Sequence, residues 1–132
     1  MRSTIEQPGH PSSVLLVDDD SDLRQLYGMK LRSDGFEVHL AADGSQALAA
    51  AHGGLGLILL DFRMPGMGVL EVLRRLKDDE DAARAPVVML SNECDAEAVA
   101  ACQALGAAGW WRKCGLVPGE LSRRVRVLID SR

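Results

Sequence analysis

Leu57-Ile58-Leu59-Leu60-Asp61-Phe62-Arg63-Met64-Pro65-Gly66-Met67 is the stretch on which the reading of this chain turns. Four consecutive branched apolar residues predict a strand buried on both faces, the kind found in parallel sheets covered by helices. The run stops abruptly at a carboxylate, followed by a Pro-Gly turn. A buried strand therefore delivers an acid, Asp61, to a loop.

The same event recurs along the chain. Residues 14–17 (Val-Leu-Leu-Val) form a second continuous apolar run, which stops at Asp18-Asp19-Asp20. Residues 86–90 form another and end at Ser91-Asn92, and residues 109–113 read as a short last strand through Trp110, Trp111 and Arg112 to Lys113. Phe36, Val38 and Leu40 alternate with Glu37 and His39, the pattern of a half-buried strand at a sheet edge. Between these runs the apolar residues follow helical spacing. Leu23, Leu26, Tyr27 and Leu31 share one such segment, and residues 45–51 form an Ala-rich helix capped at Asp43-Gly44. Val69, Leu70, Leu73 and Leu76 mark the next, Val99, Cys102 and Leu105 a thin stripe in the fourth, and Leu121, Val125 and Leu128 the last. Asp20 and Asp22 read as residues that cap or start the first helix, and the charged run 77–81 as a solvated helix end.

Strands alternating with helices imply βα units, whose crossovers return the chain to the same end of a parallel sheet. Every strand's carboxyl end then lies along one rim, so Asp18, Asp19, Asp61, Ser91 and Lys113 converge there. With the half-buried second strand at an edge, the strand order is 2-1-3-4-5. That is an α/β, flavodoxin-like (βα)5 three-layer sandwich with a parallel five-stranded sheet. Ligands bind such sheets where strand order reverses, here between the strands that carry Asp18 and Asp19 and the strand that carries Asp61. Three carboxylates in one crevice repel each other unless a cation intervenes. Hard oxygen donors in an incomplete cage suit Mg²⁺, which keeps several waters and commonly binds phosphate. A lysine and a hydroxyl suit the oxygens of a phosphoryl group. The constellation reads as phosphoryl transfer onto or near Asp61, with charge neutralised by metal and Lys113.

Composition narrows the class. A chain of 132 residues with 47% hydrophobic and 26% charged residues is one globular domain, expected over 13–132 behind a flexible N-terminal tail at 1–12. The formal net charge of -4 and the scattered Lys and Arg give no footprint for nucleic acid. Cys94, Cys102 and Cys114 are odd in number and widely spaced, which fits reduced packing thiols in a cytoplasm. No run has the length of a membrane span, and the tail lacks the apolar centre of a signal peptide. His10, His39 and His52 lack ligand spacing and are not read as a site.

With Val17-Asp18-Asp19, Leu60-Asp61-Phe62-Arg63-Met64-Pro65-Gly66-Met67, Ser91 and Lys113 in this order at strand ends, residues 14–129 resemble a response-regulator receiver domain of two-component signalling. The resemblance implies that Asp61 is the phosphoacceptor, supplied by a histidine kinase or a histidine phosphotransfer protein. It implies Mg²⁺ held by Asp18, Asp19, Asp61 and the backbone carbonyl of Arg63, with Ser91 and Lys113 on the phosphoryl oxygens. Ser91 and Trp110 would be the switch pair, with Trp110 rotating inward. The face of the fourth helix, fifth strand and fifth helix would then meet a downstream protein, in a cytoplasmic protein that is monomeric or dimerises on phosphorylation. Trp111 is expected to be plain core.

The chain departs from the family's usual pattern around the site. Gly68-Val69 stand where Asp-Gly is usual, so any left-handed residue of that turn is expected at Gly68. Cys114 stands where Pro commonly follows the lysine, Gly115 lengthens that loop, and Asn92 is larger than the usual neighbour of Ser91. An alternative is therefore a degenerate receiver that works as a constitutive, phosphorylation-independent interaction module. A haloacid-dehalogenase-type phosphatase also uses an aspartyl nucleophile, but it needs a second Asp where this chain has Arg63. The chain reads as a signalling switch rather than an enzyme.

Overall fold

The computed structural model describes residues 12–64, 66–93 and 95–131. Five strands, β1 (Ser13–Val17), β2 (Glu37–Ala41), β3 (Leu57–Asp61), β4 (Val87–Ser91) and β5 (Gly109–Arg112), alternate with five helices. The helices are α1 (Ser21–Ser33), α2 (Gly44–Ala50), α3 (Val69–Asp78), α4 (Ala96–Ala104) and α5 (Pro118–Asp130). The sheet is parallel in the order β2-β1-β3-β4-β5, as the alternation of elements predicts.

Side-chain alternation along the three central strands divides the core in two. Val14, Leu16, Leu57, Leu59, Val88 and Leu90 point to the side covered by α1 and α5, where Tyr27, Leu31, Leu121, Val125 and Ile129 meet them. Leu15, Val17, Ile58, Leu60, Val87 and Met89 point to the other side, against Ala47 of α2, Val72, Leu73 and Leu76 of α3, and Cys102 of α4. Being buried on both faces is what makes β1, β3 and β4 apolar without interruption. The edge strand β2 exposes Glu37 and half-buries His39 and Leu40. Among the described residues no helix is long and apolar enough to cross a membrane.

Capping follows the acids found in the loops. Asp20, Asp43 and Asp95 accept from the backbone amides of Leu23, Gln46 and Glu97 and start α1, α2 and α4. Helix α5 starts on Pro118, whose fixed φ suits the first turn.

Several side-chain expectations are corrected. Leu26 is 54% and Leu70 40% exposed. The inward face of α1 is set by Tyr27, Gly28 and Leu31, and that of α3 by Val72, Leu73 and Leu76, which turns the adjacent leucines to solvent. On α5, Ile129 is buried and Leu128 only half-buried. Trp111 is half-buried rather than core, because β5 is the second edge strand, and the Arg124 guanidinium covers its ring at 5.6 Å. Of the cysteines, Cys102 is a packing residue as expected, Cys114 is exposed, and Cys94 lies outside the described residues, as does nearly all of the 1–12 tail. In the charged run 77–81, Lys77 of the last turn of α3 donates to the carbonyls of Ala83 and Ala85 at 2.9 and 3.4 Å rather than lying wholly in solvent.

Helix α2 approaches α3 closely enough that a Cβ on Gly44 would stand 2.5 Å from Val72 Cγ2, whereas one on Gly119 would meet nothing nearer than Lys30 Cε at 3.9 Å. Gly44→Ala is expected to destabilise the fold by about 1–3 kcal/mol through overpacking. Gly119→Ala is expected to be neutral or stabilising by up to about 1 kcal/mol. Urea midpoints of the two variants beside the wild type check the pair, and equal midpoints would refute the packing argument.

Candidate functional site

Register brings the strand ends to one level. Val17 lies beside Leu60, Asp61 beside Leu90 and Ser91 beside Arg112. Asp18 follows Val17 and Lys113 follows Arg112, so Asp18, Asp61, Ser91 and Lys113 leave the sheet along one rim. Further main-chain bonds hold them there: Asp18 N donates to Ala41 O (3.0 Å), Phe62 N to Leu90 O (2.8 Å) and Lys113 N to Ser91 O (2.9 Å).

Asp18 is fully buried, Asp61 is 3% exposed, and Asp19 lies at the open mouth. One carboxylate oxygen from each lies within 4.8 Å of the other two, the one group of three His, Cys, Asp or Glu side chains among the described residues placed to hold an ion. Lys113 Nζ stands between the two buried acids, 3.1 Å from Asp18 Oδ2 and 3.3 Å from Asp61 Oδ2. Asp18 Oδ1 accepts from Asp20 N (3.0 Å) and Asp61 Oδ1 from Arg63 N (3.3 Å), while Arg24 Nη1 donates to the carbonyl of Asp18 (2.6 Å). Asp18 Oδ2 is buried and makes no hydrogen bond of good geometry. Its charge is met by the Lys113 ammonium. An under-coordinated buried carboxylate oxygen, a second buried acid and an exposed third form a hard-oxygen donor set open on one side, and this set fits Mg²⁺.

The electrostatics are those of a site that needs a cation. Burial, then the charge of Asp18, raises the Asp61 pKa from 3.8 to about 7, although Lys113 and the Arg63 amide pull the other way. Burial alone would lower the pKa of Lys113. The charges of Asp61 and Asp18 and their hydrogen bonds outweigh it, and the net shift is upward, so the ammonium stays protonated.

Around this floor lies a rim. Ser91 is buried, and its Oγ accepts from Glu93 N (3.0 Å), the local turn bond expected of a serine between a strand and a helix. Asn92 is exposed and lines the cleft with Asp61, Arg63, Ser91, Glu93 and Lys113. Arg63 extends to Glu93, Nη2 to Oε1 at 2.8 Å. Trp110 is half-buried, its ring 5.1 Å from that of Phe62, and its Nε1 donates to Glu93 O (3.0 Å). The Lys113 loop is braced from below: Leu116 N donates to Lys113 O (2.9 Å) and the buried Tyr27 hydroxyl to Leu116 O (2.7 Å).

The expected convergence of Asp18, Asp19, Asp61, Ser91 and Lys113 is what the structure contains. The loop expectation was misplaced. Gly66 takes the left-handed conformation at φ +87°, while Gly68 sits extended at φ -61° as the residue before α3, so Val69 enters the helix without strain. No cis peptide bond occurs among the described residues, and Lys113 reaches both acids with Cys114 behind it. Glu93, Arg24 and the Tyr27 hydroxyl were not singled out from sequence. Their partners lie 30 residues away for the Glu93 side chain and 89 for Tyr27, with no periodic pattern to join them. His39 and His52 do meet, edge to face at 5.2 Å, while His10 lies outside the described residues.

A family model described as the response regulator receiver domain matches residues 14–126. The "DNA-binding response regulator MtrA" of Mycolicibacterium smegmatis is 38% identical over 117 residues, 88% of this chain and 50% of that protein. The "Uncharacterized transcriptional regulatory protein YkoG" of Bacillus subtilis is 36% identical over 86 residues, 64% of this chain and 36% of that protein. The chain thus spans about half the length, or less, of the curated relatives it matches. Among solved structures, the chemotaxis protein CheY4 of Vibrio cholerae superposes with a TM-score of 0.79 at 32% identity, covering 88% of this chain and 97% of that one.

A carboxyl group whose pKa is raised on folding opposes folding once it ionises. Between pH 3.8 and about 7 the folded protein keeps a proton that the unfolded chain has released, so the unfolding free energy falls as pH rises through that window. Asp61→Asn removes this term. In chelator the variant is expected to melt several degrees above the wild type near about pH 8, with the gap closing towards about pH 5. Mg²⁺ is expected to raise the wild-type midpoint and leave the variant nearly unmoved. A gap independent of pH would refute the assignment.

Proposed function

Because this chain belongs to the response regulator receiver domain family, we propose that it is a Mg²⁺-dependent phosphorylation switch whose phosphoacceptor is Asp61. The receiver unit is residues 13–132 and works in the cytoplasm. The observation that carries the reading is the pair of buried carboxylates joined through Lys113, with Asp19 within ion-sharing distance.

In this reading a carboxylate oxygen of Asp61 attacks the phosphorus of a phosphohistidine on a histidine kinase or histidine phosphotransfer protein. The P–N bond breaks, its electron pair leaves with the imidazole, and an aspartyl phosphate forms. Asp18, Asp19, Asp61 and the Arg63 carbonyl hold the metal, which supplies positive charge to the phosphoryl oxygens when bound. Lys113 is already fixed against Asp61 Oδ2, and its charge is there to meet an incoming phosphoryl oxygen. Ser91 donates its hydroxyl to another oxygen after giving up the Glu93 amide. The movement of Ser91 and Trp110 then alters the face of α4, β5 and α5 for a downstream protein. Only Cys102 of α4 is buried, which leaves that helix weakly held. The chain acts by binding and self-catalysed phosphoryl transfer rather than on a separate substrate, as a monomer or a phosphorylation-dependent dimer, and binds neither nucleic acid nor membrane by itself.

Incubation with Mg²⁺ and acetyl phosphate, followed by intact-mass measurement, is expected to give one phosphoryl adduct on the wild type and none on Asp61→Asn. Lys113→Ala is expected to slow adduct formation by about a hundredfold or more, as for loss of a preorganised charge at a reacting centre. An adduct that persists on Asp61→Asn would overturn the acceptor. No adduct on the wild type would favour the constitutive interaction module.

A further inference from the structure

Glu93 makes three contacts with three residues of the site, and none of them is to the acidic floor. Its carboxylate holds the Arg63 guanidinium at 2.8 Å, its amide donates to Ser91 Oγ at 3.0 Å, and its carbonyl accepts from Trp110 Nε1 at 3.0 Å. Arg63 in turn is tied to the acceptor, since its own amide donates to Asp61 Oδ1. Both side chains line the cleft that contains Asp61, Ser91 and Lys113. The Arg63 side chain is 72% and that of Glu93 47% exposed, so the ion pair lies at the open mouth.

We propose that Arg63 is a phosphoryl-binding residue held in reserve by Glu93, and that its guanidinium leaves the Glu93 carboxylate for the phosphoryl oxygens once Asp61 is modified. The inference rests on the reading of Asp61 as phosphoacceptor and adds the rim that answers it. An exposed carboxylate–guanidinium pair is weakly held and salt-screened, so little opposes its opening. A phosphoryl group presents more charge and more oxygens in a geometry that a guanidinium fork matches two at a time. When Arg63 departs, Glu93 loses its side-chain tether, and the segment that carries the Ser91 and Trp110 hydrogen bonds is freed at its middle residue. The exchange thus links the chemistry at Asp61 to the β4–α4 loop through one residue's side chain and main chain. Glu93 is a positioning residue in this scheme, since it acts through Arg63.

A double-mutant cycle tests it, with phosphorylation by acetyl phosphate and Mg²⁺ followed by intact mass. Glu93→Gln is expected to speed adduct formation about twofold to fivefold, the scale of an exposed ion pair, and Arg63→Ala to slow it by a similar factor. Arg63→Lys should recover part of the loss. In the Arg63→Ala background Glu93→Gln should have little effect, because no guanidinium remains to be released. The second readout is Trp110 fluorescence in a Trp111→Phe background, which leaves one tryptophan of the two. Beryllofluoride with Mg²⁺ should change that emission in the parent and much less with Arg63→Ala, even when the adduct still forms. Equal Glu93→Gln factors with and without Arg63 would reduce Glu93 to a through-space charge and overturn the exchange. An unchanged Trp110 response in Arg63→Ala would overturn the link to the loop. Absence of any adduct on the wild type would instead overturn the acceptor reading and this inference with it.

Discussion

The Lys113 ammonium lies between two buried carboxylates, and much of the site follows from that placement. Asp18 and Asp61 are each nearly or wholly removed from water, a position in which two negative charges at close range are strongly disfavoured. One cation touching both, at 3.1 and 3.3 Å, lets them remain side by side, and it leaves one negative charge in excess on the pair, with Asp19 adding another at the mouth. Burial, and after it the charge of Asp18, raises the pKa of Asp61, and the donor set of the three acids fits a divalent cation.

The sheet exists in the form that this interaction requires. Antiparallel neighbours would send the ends of adjacent strands to opposite rims. Parallel pairing sends Val17, Asp61, Ser91 and Arg112 to the same one, and the register keeps them level. The two core layers then clamp the strands from both faces, so that the rim cannot relax its charges by moving apart. The buried Tyr27 hydroxyl extends the clamp past the sheet. By donating to Leu116 O it ties α1 to the loop whose preceding turn carries Lys113, which makes the position of the ammonium a property of the α1–α5 side of the core as well as of β5.

What could be read from the sequence was whatever depends on a continuous run or a fixed period. The strands β1, β3 and β4 are apolar because they are buried on both faces, so their ends, and the residues just beyond them, were visible in one dimension. The edge position of β2 showed in its alternation. Helix faces were legible only to within one position. Leu26 and Leu70 sit beside the inward stripe, and a rotation of one residue, about 100° around a helix, separates the buried from the exposed leucine. The turn after β3 was misassigned for a related reason. Two glycines lie two residues apart, and which takes the left-handed conformation depends on where α3 begins, a decision made by Val72 and Leu73 against the sheet rather than by the loop itself.

The rim of the site was the least legible part, and its physics explains why. Lys113 is recognisable because it stands directly after a strand, at the rim where the acids converge. The Arg63–Glu93 pair lies in solvent, where most charged residues do no more than keep a surface wet; Arg63 is marked by its place two residues after Asp61, whereas neither residue type nor spacing marks Glu93 as its partner. Yet the same exposure gives the pair a property that the floor lacks. A buried ion pair cannot open without stranding a charge in a poor solvent, whereas an exposed one can exchange partners at little cost. A switch needs both kinds of contact, one set that holds the acceptor still while a bond forms and another that changes when charge appears. With Asp61 read as the phosphoacceptor, burial would divide the two roles between Lys113 and Arg63, cations that contact opposite oxygens of the same carboxylate, one through its ammonium and the other through its backbone amide.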